Sequence, residues 1–272
     1  MSAPGDPADA VPAATGAAPA SRSTGGRLAE ATCVPGQQRA SAAAELPLPE
    51  DSRALRMQVI ATAAAMNAVG INANRAGNVS VRCARGGVPG LLITPTGVAY
   101  DQLAPDGLVF LRLTDGRAQG RLAPSSEWRF HLDILRQRPE FGAIVHTHSP
   151  SATALACHGR GLPPFHYMVA VAGGADVRCA PYAPFGTQQL SDLAVTALED
   201  RRACLLAHHG VIACGSTLDA ALALAVEIEH LARIYLQACA LGEPAHLTTQ
   251  EMADAIVRFA SYGQPQQATD RS

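Results

Sequence analysis

Two short apolar runs of this chain end in paired histidines: AIVHTH at 143–148 and ACLLAHH at 203–209. Runs of this length, rich in aliphatic residues and lacking polar alternation, suit strands buried on both faces. Successive side chains on a strand point to opposite faces, so His146 and His148 share one face and Thr147 takes the other. Each imidazole needs partners for two ring nitrogens. Such a pair is therefore poor core material and a good beginning for a metal site; the other reading is a hydrogen-bonded pair at a strand end. In the second run His208 and His209 face opposite ways, so at most one of them joins the first pair. Three histidines at strand ends, with space left over, describe a catalytic zinc site with an open position.

Around these runs the chain alternates between the two periodicities. From Asp51 or Ser52 to Val69, apolar residues recur at helical spacing, and Gly70 closes the helix. NVSVRC and GLLITP read as strands around the turn-like ARGGVPG, and LVFLRL (108–113) as another. SSEWRFHLDILRQR reads as a helix with a serine cap and Glu127 in its acidic first turn. Further strands are expected at 143–148, 166–171, 203–208 and 211–214, and helices at 187–200, 217–241 and 248–260. HHGVIACG joins two apolar runs across a glycine-containing turn, as an antiparallel hairpin would. The expected fold is a single α/β domain over residues 51–263, a central mixed, largely antiparallel sheet sandwiched by helices. Residues 1–50, rich in Ala, Pro and Ser, are expected to be a disordered extension, and 264–272 a polar tail.

Composition removes several function classes. A net charge of −2 gives no basic field for nucleic acid or anionic membrane, and 4% aromatic residues leave few stacking platforms. No apolar run approaches the roughly 18 residues of a membrane span. The seven cysteines contain no Cys-x-x-Cys pair, which fits small core hydrophobes in a reducing compartment rather than a disulfide framework. Neither a basic start nor a contiguous apolar stretch of the secretory kind is present, so a cytoplasmic location is expected.

Glu127 is the carboxylate candidate, either a favourable charge at a helix start or a metal ligand and general base. Ser125 and Ser126 precede it with hydroxyls and free N–H groups, where a phosphate binds well. RAGNVS offers Gly77 and Asn78, and ITPTGVAYDQL offers Thr96 and Gly97. Each loop alone is a turn; together with the serines they make three anion-friendly loops.

The segments AGNVSVR, LLITPTGVAYDQL, LAPSSEWRFHLDIL, AIVHTHSPSATALA, FHYMVAVAGG, CAPYAPFGTQQL and LLAHHGVIACG follow in this order. Over about residues 54–263 they resemble the class II (zinc-dependent) aldolase/adducin family, and within it the L-fuculose-1-phosphate aldolases. The resemblance implies a homotetramer with active sites between neighbouring subunits, and one zinc per subunit on His146, His148 and His209 with Glu127 as fourth ligand. It implies substrate phosphate on Gly77, Asn78, Thr96, Gly97, Ser125 and Ser126. Tyr167 and Tyr262 match the family's catalytic tyrosines, Tyr262 reaching into a neighbouring subunit's site. The implied reaction is reversible cleavage of a ketose 1-phosphate, L-fuculose 1-phosphate or a related deoxy-ketose 1-phosphate, to dihydroxyacetone phosphate and a short aldehyde, with Glu127 as base.

The chain also departs from that pattern. Arg75 stands where the aldolases have a small hydroxyl residue, either adding charge to the phosphate site or lying on the surface. HTH stands where their pattern reads HNH. Alternatives within the family are a pentulose-phosphate 4-epimerase, whose pattern has Asp in place of Glu127, and a methylthioribulose-phosphate dehydratase, which shares Glu and HTH. The HYM and APYAPFGT segments are nearer the aldolases. A non-catalytic adducin-like interaction domain has no use for a full ligand set.

Overall fold

In this computed structural model the described residues are 48–261. Most of the expected extension, the expected tail and Tyr262 lie outside them. The elements follow as α1 (Arg53–Ala68), β1 (Asn78–Arg85), β2 (Val88–Ile93), β3 (Val109–Arg112), β4 (Ala118–Gln119), α2 (Trp128–Gln137) and β5 (Ala143–Thr147). Then come α3 (Pro150–Cys157), β6 (Cys179–Ala180), α4 (Gln188–Ala197), β7 (Ala203–Leu206), β8 (Gly210–Gly215), α5 (Leu218–Cys239) and α6 (Thr249–Ser261).

The strands form one eight-stranded sheet in the order β4-β3-β2-β1-β5-β8-β7-β6. Only β6 and β7 run parallel, so the sheet is mixed and largely antiparallel, as the sequence predicts. Strand alternation splits its side chains between two apolar layers. Val79, Val145 and Leu205 pack with Leu55 of α1, Leu155 of α3, Ile228 of α5 and Met252 of α6. Ile144, Cys204 and Ile212 pack on the other face with Phe130 and Ile134 of α2 and Leu190 of α4. Covering on both faces is what lets these runs dispense with polar alternation.

Local chemistry sets the boundaries. Ser52 caps α1, its Oγ accepting from the Leu55 N–H at 3.2 Å, and Thr217 caps α5 in the same way from Ala220. Gly86 and Gly87 have φ of 58° and 76°, the double left-handed turn that joins β1 to β2 without splaying them. No described helix is long and apolar enough to cross a membrane.

One expectation is corrected. Residues 166–171 do not form a strand: Tyr167–Ala172 is a 3₁₀ helix, with the His166 side chain accepting from the Met168 N–H and Gly173 closing it at φ 93°. A short apolar run does not by itself distinguish the two. The structure adds a helix that the sequence reading does not assign: α3 starts directly after β5, with Pro150 at a first-turn position where its missing N–H costs nothing. The cap for that helix comes from far along the chain. The buried Glu229 carboxylate of α5 accepts from the N–H groups of Ser151 and Ala152, both at 2.9 Å.

Glu229→Ala should therefore cost about 1–3 kcal/mol, the range for stranding buried N–H donors. Glu229→Gln, which keeps one acceptor, should recover part of it. Urea midpoints of the two variants check this, and an unshifted midpoint for Glu229→Ala would show that the cap does not hold α3.

Candidate metal centre

Strand β5 delivers His146 and His148 side by side, their Nε2 atoms 3.1 Å apart. The His146 ring is fully buried, and its Nδ1 lies 2.8 Å from the Val211 carbonyl on β8. A carbonyl only accepts, so Nδ1 carries the proton and Nε2 turns a lone pair toward His148. The third histidine arrives differently from expectation. Strand β7 stops at Leu206, and His208 and His209 lie in the turn before β8 rather than on a strand. His208 takes the left-handed conformation, φ 56°, and points to solvent, while the His209 N–H closes on the Leu206 carbonyl at 3.0 Å. Turn geometry, not strand alternation, separates the two rings.

Glu127 is also placed differently. Helix α2 begins at Trp128, so Glu127 is its N-cap residue rather than part of its first turn, and its carboxylate caps no helix N–H. The N–H of Glu127 itself goes to the Ser125 Oγ at 3.3 Å. Freed from capping, the carboxylate swings to the histidines: Oε2 is 3.2 Å from His146 Nε2 and Oε1 is 3.1 Å from His209 Nε2. The ligand atoms of Glu127, His146, His148 and His209 all lie within 4.8 Å of one another.

Electron pairs converge here in a buried place. Burial by itself raises the Glu127 pKa, yet His146 and His209 hold the carboxyl well below the usual carboxylate range. Burial, then His146 and His209, push His148 down to about 4, so its ring stays neutral and able to ligate at neutral pH. The buried Oε1 of Glu127 accepts no hydrogen bond among the described residues. A tetrahedral zinc with ligands at ~2.0–2.2 Å needs donor atoms about 3.3–3.6 Å apart. The observed separations of 3.1–3.2 Å are close to that spacing. Three imidazoles and one carboxylate thus fit a divalent metal.

The three expected loops are laced together beside this cluster. Arg75 donates from Nη1 to the Gly97 carbonyl at 2.8 Å, tying the first loop to the second. The Thr96 N–H reaches the Ala123 carbonyl at 3.2 Å and the Ser125 N–H reaches the Thr94 carbonyl at 3.0 Å, tying the second to the third. Gly77 is required by contact, since a Cβ there would stand 2.3 Å from the His146 carbonyl oxygen; Gly97 is required by its φ of 74°. Ser126 is exposed and Ser125 buried. The Asn78 amide is turned toward the metal cluster, its Nδ2 donating to Glu127 Oε2 at 3.0 Å, which leaves one amide hydrogen for an anion.

Tyr167 does not lie in this cluster. It is 54% exposed, and its ring stacks on Phe259 of α6 at 6.1 Å between centroids. One residue escaped the sequence reading: His131, fully buried on α2 and hydrogen-bonded to Asn78. The signal was its place four residues after Glu127, on the same side of the helix.

The family model for the class II aldolase and adducin N-terminal domain matches residues 57–236. A 5-methylthioribulose-1-phosphate/5-deoxyribulose-1-phosphate aldolase of Rhodospirillum rubrum is 50% identical over 216 residues, 79% of this chain and 96% of that one. The L-fuculose phosphate aldolase of Escherichia coli K12 is 44% identical over 210 residues, 77% of this chain and 95% of that one. Among solved structures, an L-fuculose 1-phosphate aldolase matches with a TM-score of 0.73 at 36% identity, covering 77% of this chain and 97% of its own. The chain belongs to the class II aldolase and adducin family, as a lyase-type enzyme of the group that holds the fuculose-phosphate and methylthioribulose-phosphate aldolases.

Proposed function

We propose that the protein is a zinc-dependent aldolase that reversibly cleaves a ketose 1-phosphate to dihydroxyacetone phosphate and a short aldehyde. The observation that carries this reading is one buried carboxylate gathered with three imidazoles beside three laced, small-residue loops. The 5-deoxypentulose 1-phosphate class is favoured over L-fuculose 1-phosphate. The relative named for 5-deoxy and methylthio substrates is 50% identical, against 44% for the fuculose enzyme, and HTH departs from the fuculose-type HNH pattern.

Zinc on His146, His148 and His209 would supply Lewis-acid stabilisation of the negative charge that develops as a carbon-bound proton leaves. Glu127, the one acceptor-only carboxylate in the cluster, takes that proton in the direction of condensation and returns it in cleavage. Ser125, Ser126, Gly77, Asn78, Thr96 and Gly97 hold the phosphate, and Arg75 adds positive charge at the rim of those loops. Anchoring the phosphate keeps the reacting carbon beside Glu127 and turns binding into orientation. Tyr262 protonates the aldehyde oxygen as the carbon–carbon bond forms, or removes the hydroxyl proton as it breaks, and Tyr167 assists that transfer. The assembly is a homotetramer in which Tyr262 serves a neighbouring subunit's site. The Tyr167 ring stacks on Phe259 of α6, the helix whose end precedes Tyr262 in sequence.

Three outcomes are expected. Metal analysis should find about one zinc per subunit, lost in His146→Ala, His148→Ala and His209→Ala but kept in His208→Ala; full zinc in the His209 variant would disprove the ligand set. Glu127→Gln should lower solvent-deuterium exchange into dihydroxyacetone phosphate by about 10²- to 10⁴-fold while zinc stays bound, and exchange at the wild-type rate would remove Glu127 as the base. In a panel of ketose 1-phosphates, release of dihydroxyacetone phosphate should be fastest from a 5-deoxypentulose 1-phosphate. Epimerised or dehydrated product without cleavage, from zinc-loaded protein, would assign the chain to the family's other chemistries instead.

A further inference from the structure

We infer that His131 is a positioning residue of the metal centre: as its neutral Nε2–H tautomer it locks the Asn78 amide in the orientation that donates to Glu127. The inference rests on the reading of Glu127 as metal ligand and base. Four side chains form an unbranched buried chain. Ser80 Oγ lies 2.7 Å from His131 Nδ1, His131 Nε2 lies 2.5 Å from Asn78 Oδ1, and Asn78 Nδ2 lies 3.0 Å from Glu127 Oε2. None of the four residues is more than 5% exposed, so each group must find its partner within the protein.

The direction of every bond follows from its last member. An ionised carboxylate can only accept, so Asn78 must present its NH₂ to Glu127 and therefore its oxygen to His131. That oxygen also only accepts, so the proton of the neutral imidazole sits on Nε2. Nδ1 then carries a lone pair, and the Ser80 hydroxyl donates to it. The opposite tautomer would draw the amide round and set its oxygen against the carboxylate at 3.0 Å. Burial favours the uncharged ring and pushes its pKa down to about 3. Packing holds the ring in plane: Phe130 stacks on it at 4.6 Å, and the same Phe130 meets His146 edge-on at 5.4 Å. The chain therefore ends on Oε2 and leaves the buried Oε1 without a hydrogen bond, so the carboxylate is oriented at one oxygen and available at the other.

The test has one arm that needs no catalysis. In metal-free full-length protein labelled with ¹⁵N-histidine, the His131 signals, assigned by their loss in His131→Gln, should show a protonated Nε2 and a bare Nδ1 from about pH 8 to about pH 5, across the range where a free imidazole titrates. A proton on Nδ1, or an imidazolium in that range, overturns the inference whatever the enzyme's reaction proves to be. The second arm compares variants. His131→Gln keeps a donor toward Asn78 and an acceptor toward Ser80; His131→Leu keeps neither. Zinc affinity, measured by chelator competition, should fall about 10- to 100-fold in His131→Leu, the range for losing a residue that orients a ligand, and by much less in His131→Gln. At saturating zinc, kcat for deuterium exchange should fall in His131→Leu with KM nearly unchanged, and His131→Gln should restore most of it. Equal losses in both variants, or a change in KM alone, would reduce His131 to core packing. Where His131→Leu does not fold, His131→Phe, which keeps a ring beside Phe130 but neither nitrogen, serves in its place. Zinc affinity and kcat in that variant equal to those of His131→Gln would overturn the inference.

Discussion

The pairing of β5 with β8 is the constraint on which the site depends. Its register, Ala143 opposite Gly215 through Thr147 opposite Val211, sets the β7–β8 turn beside the end of β5. That single alignment gives His146 its carbonyl partner on Val211 and brings His209 within reach of the other two rings. Close approach makes it possible. A Cβ on Gly210 would stand 2.3 Å from the Thr147 carbonyl oxygen, and one on Gly77 the same distance from that of His146. The two glycines on either side of β5 are spacing residues, and both directly precede or begin strands that carry the site.

On that frame the electrostatics are one-sided. Two Nε2 lone pairs and a buried carboxylate face each other with no proton supply that all of them can share. Burying such groups is costly unless a cation or a set of donors answers them. The protein answers part of the demand itself: Val211 fixes one tautomer, Asn78 satisfies one carboxylate oxygen, and Ser125 holds the turn that aims Glu127. The remaining demand is concentrated where four ligand atoms point at a common centre. Such a polar cluster could hold a metal ion.

Much of this was legible in the residues because it is local. The Ser52 cap, the Gly86–Gly87 turn and the two-faced burial of AIVHT and ACLL depend on neighbours a few positions away. His146 and His148 were legible for the same reason, their shared face being a property of any strand. The structure departs from the sequence reading at two places, one decided by a remote partner and one by local caps. Helix α3 is capped by Glu229, some eighty positions along the chain, and nothing near Pro150 announces it. The run at 166–171 turns helical under the His166 side chain and Gly173, where apolar content alone fits either conformation.

The sequence by itself determined the alternation of strands and helices, the shared face of His146 and His148, and the small-residue loops, since each follows from short-range spacing and chemical type. Spacing left open which histidine of the 208–209 pair enters and whether Glu127 joins it; the resemblance implied His209 and Glu127, and the tertiary structure gathers them with the rings and sets Asn78 and His131 behind Glu127. Those outcomes hang on where β1, β5 and β8 lie against α2, and hydrogen bonds across that packing join residues about 50 positions apart. No local pattern encodes such a bond, because its donor and acceptor meet only after the sheet has closed beneath the helix.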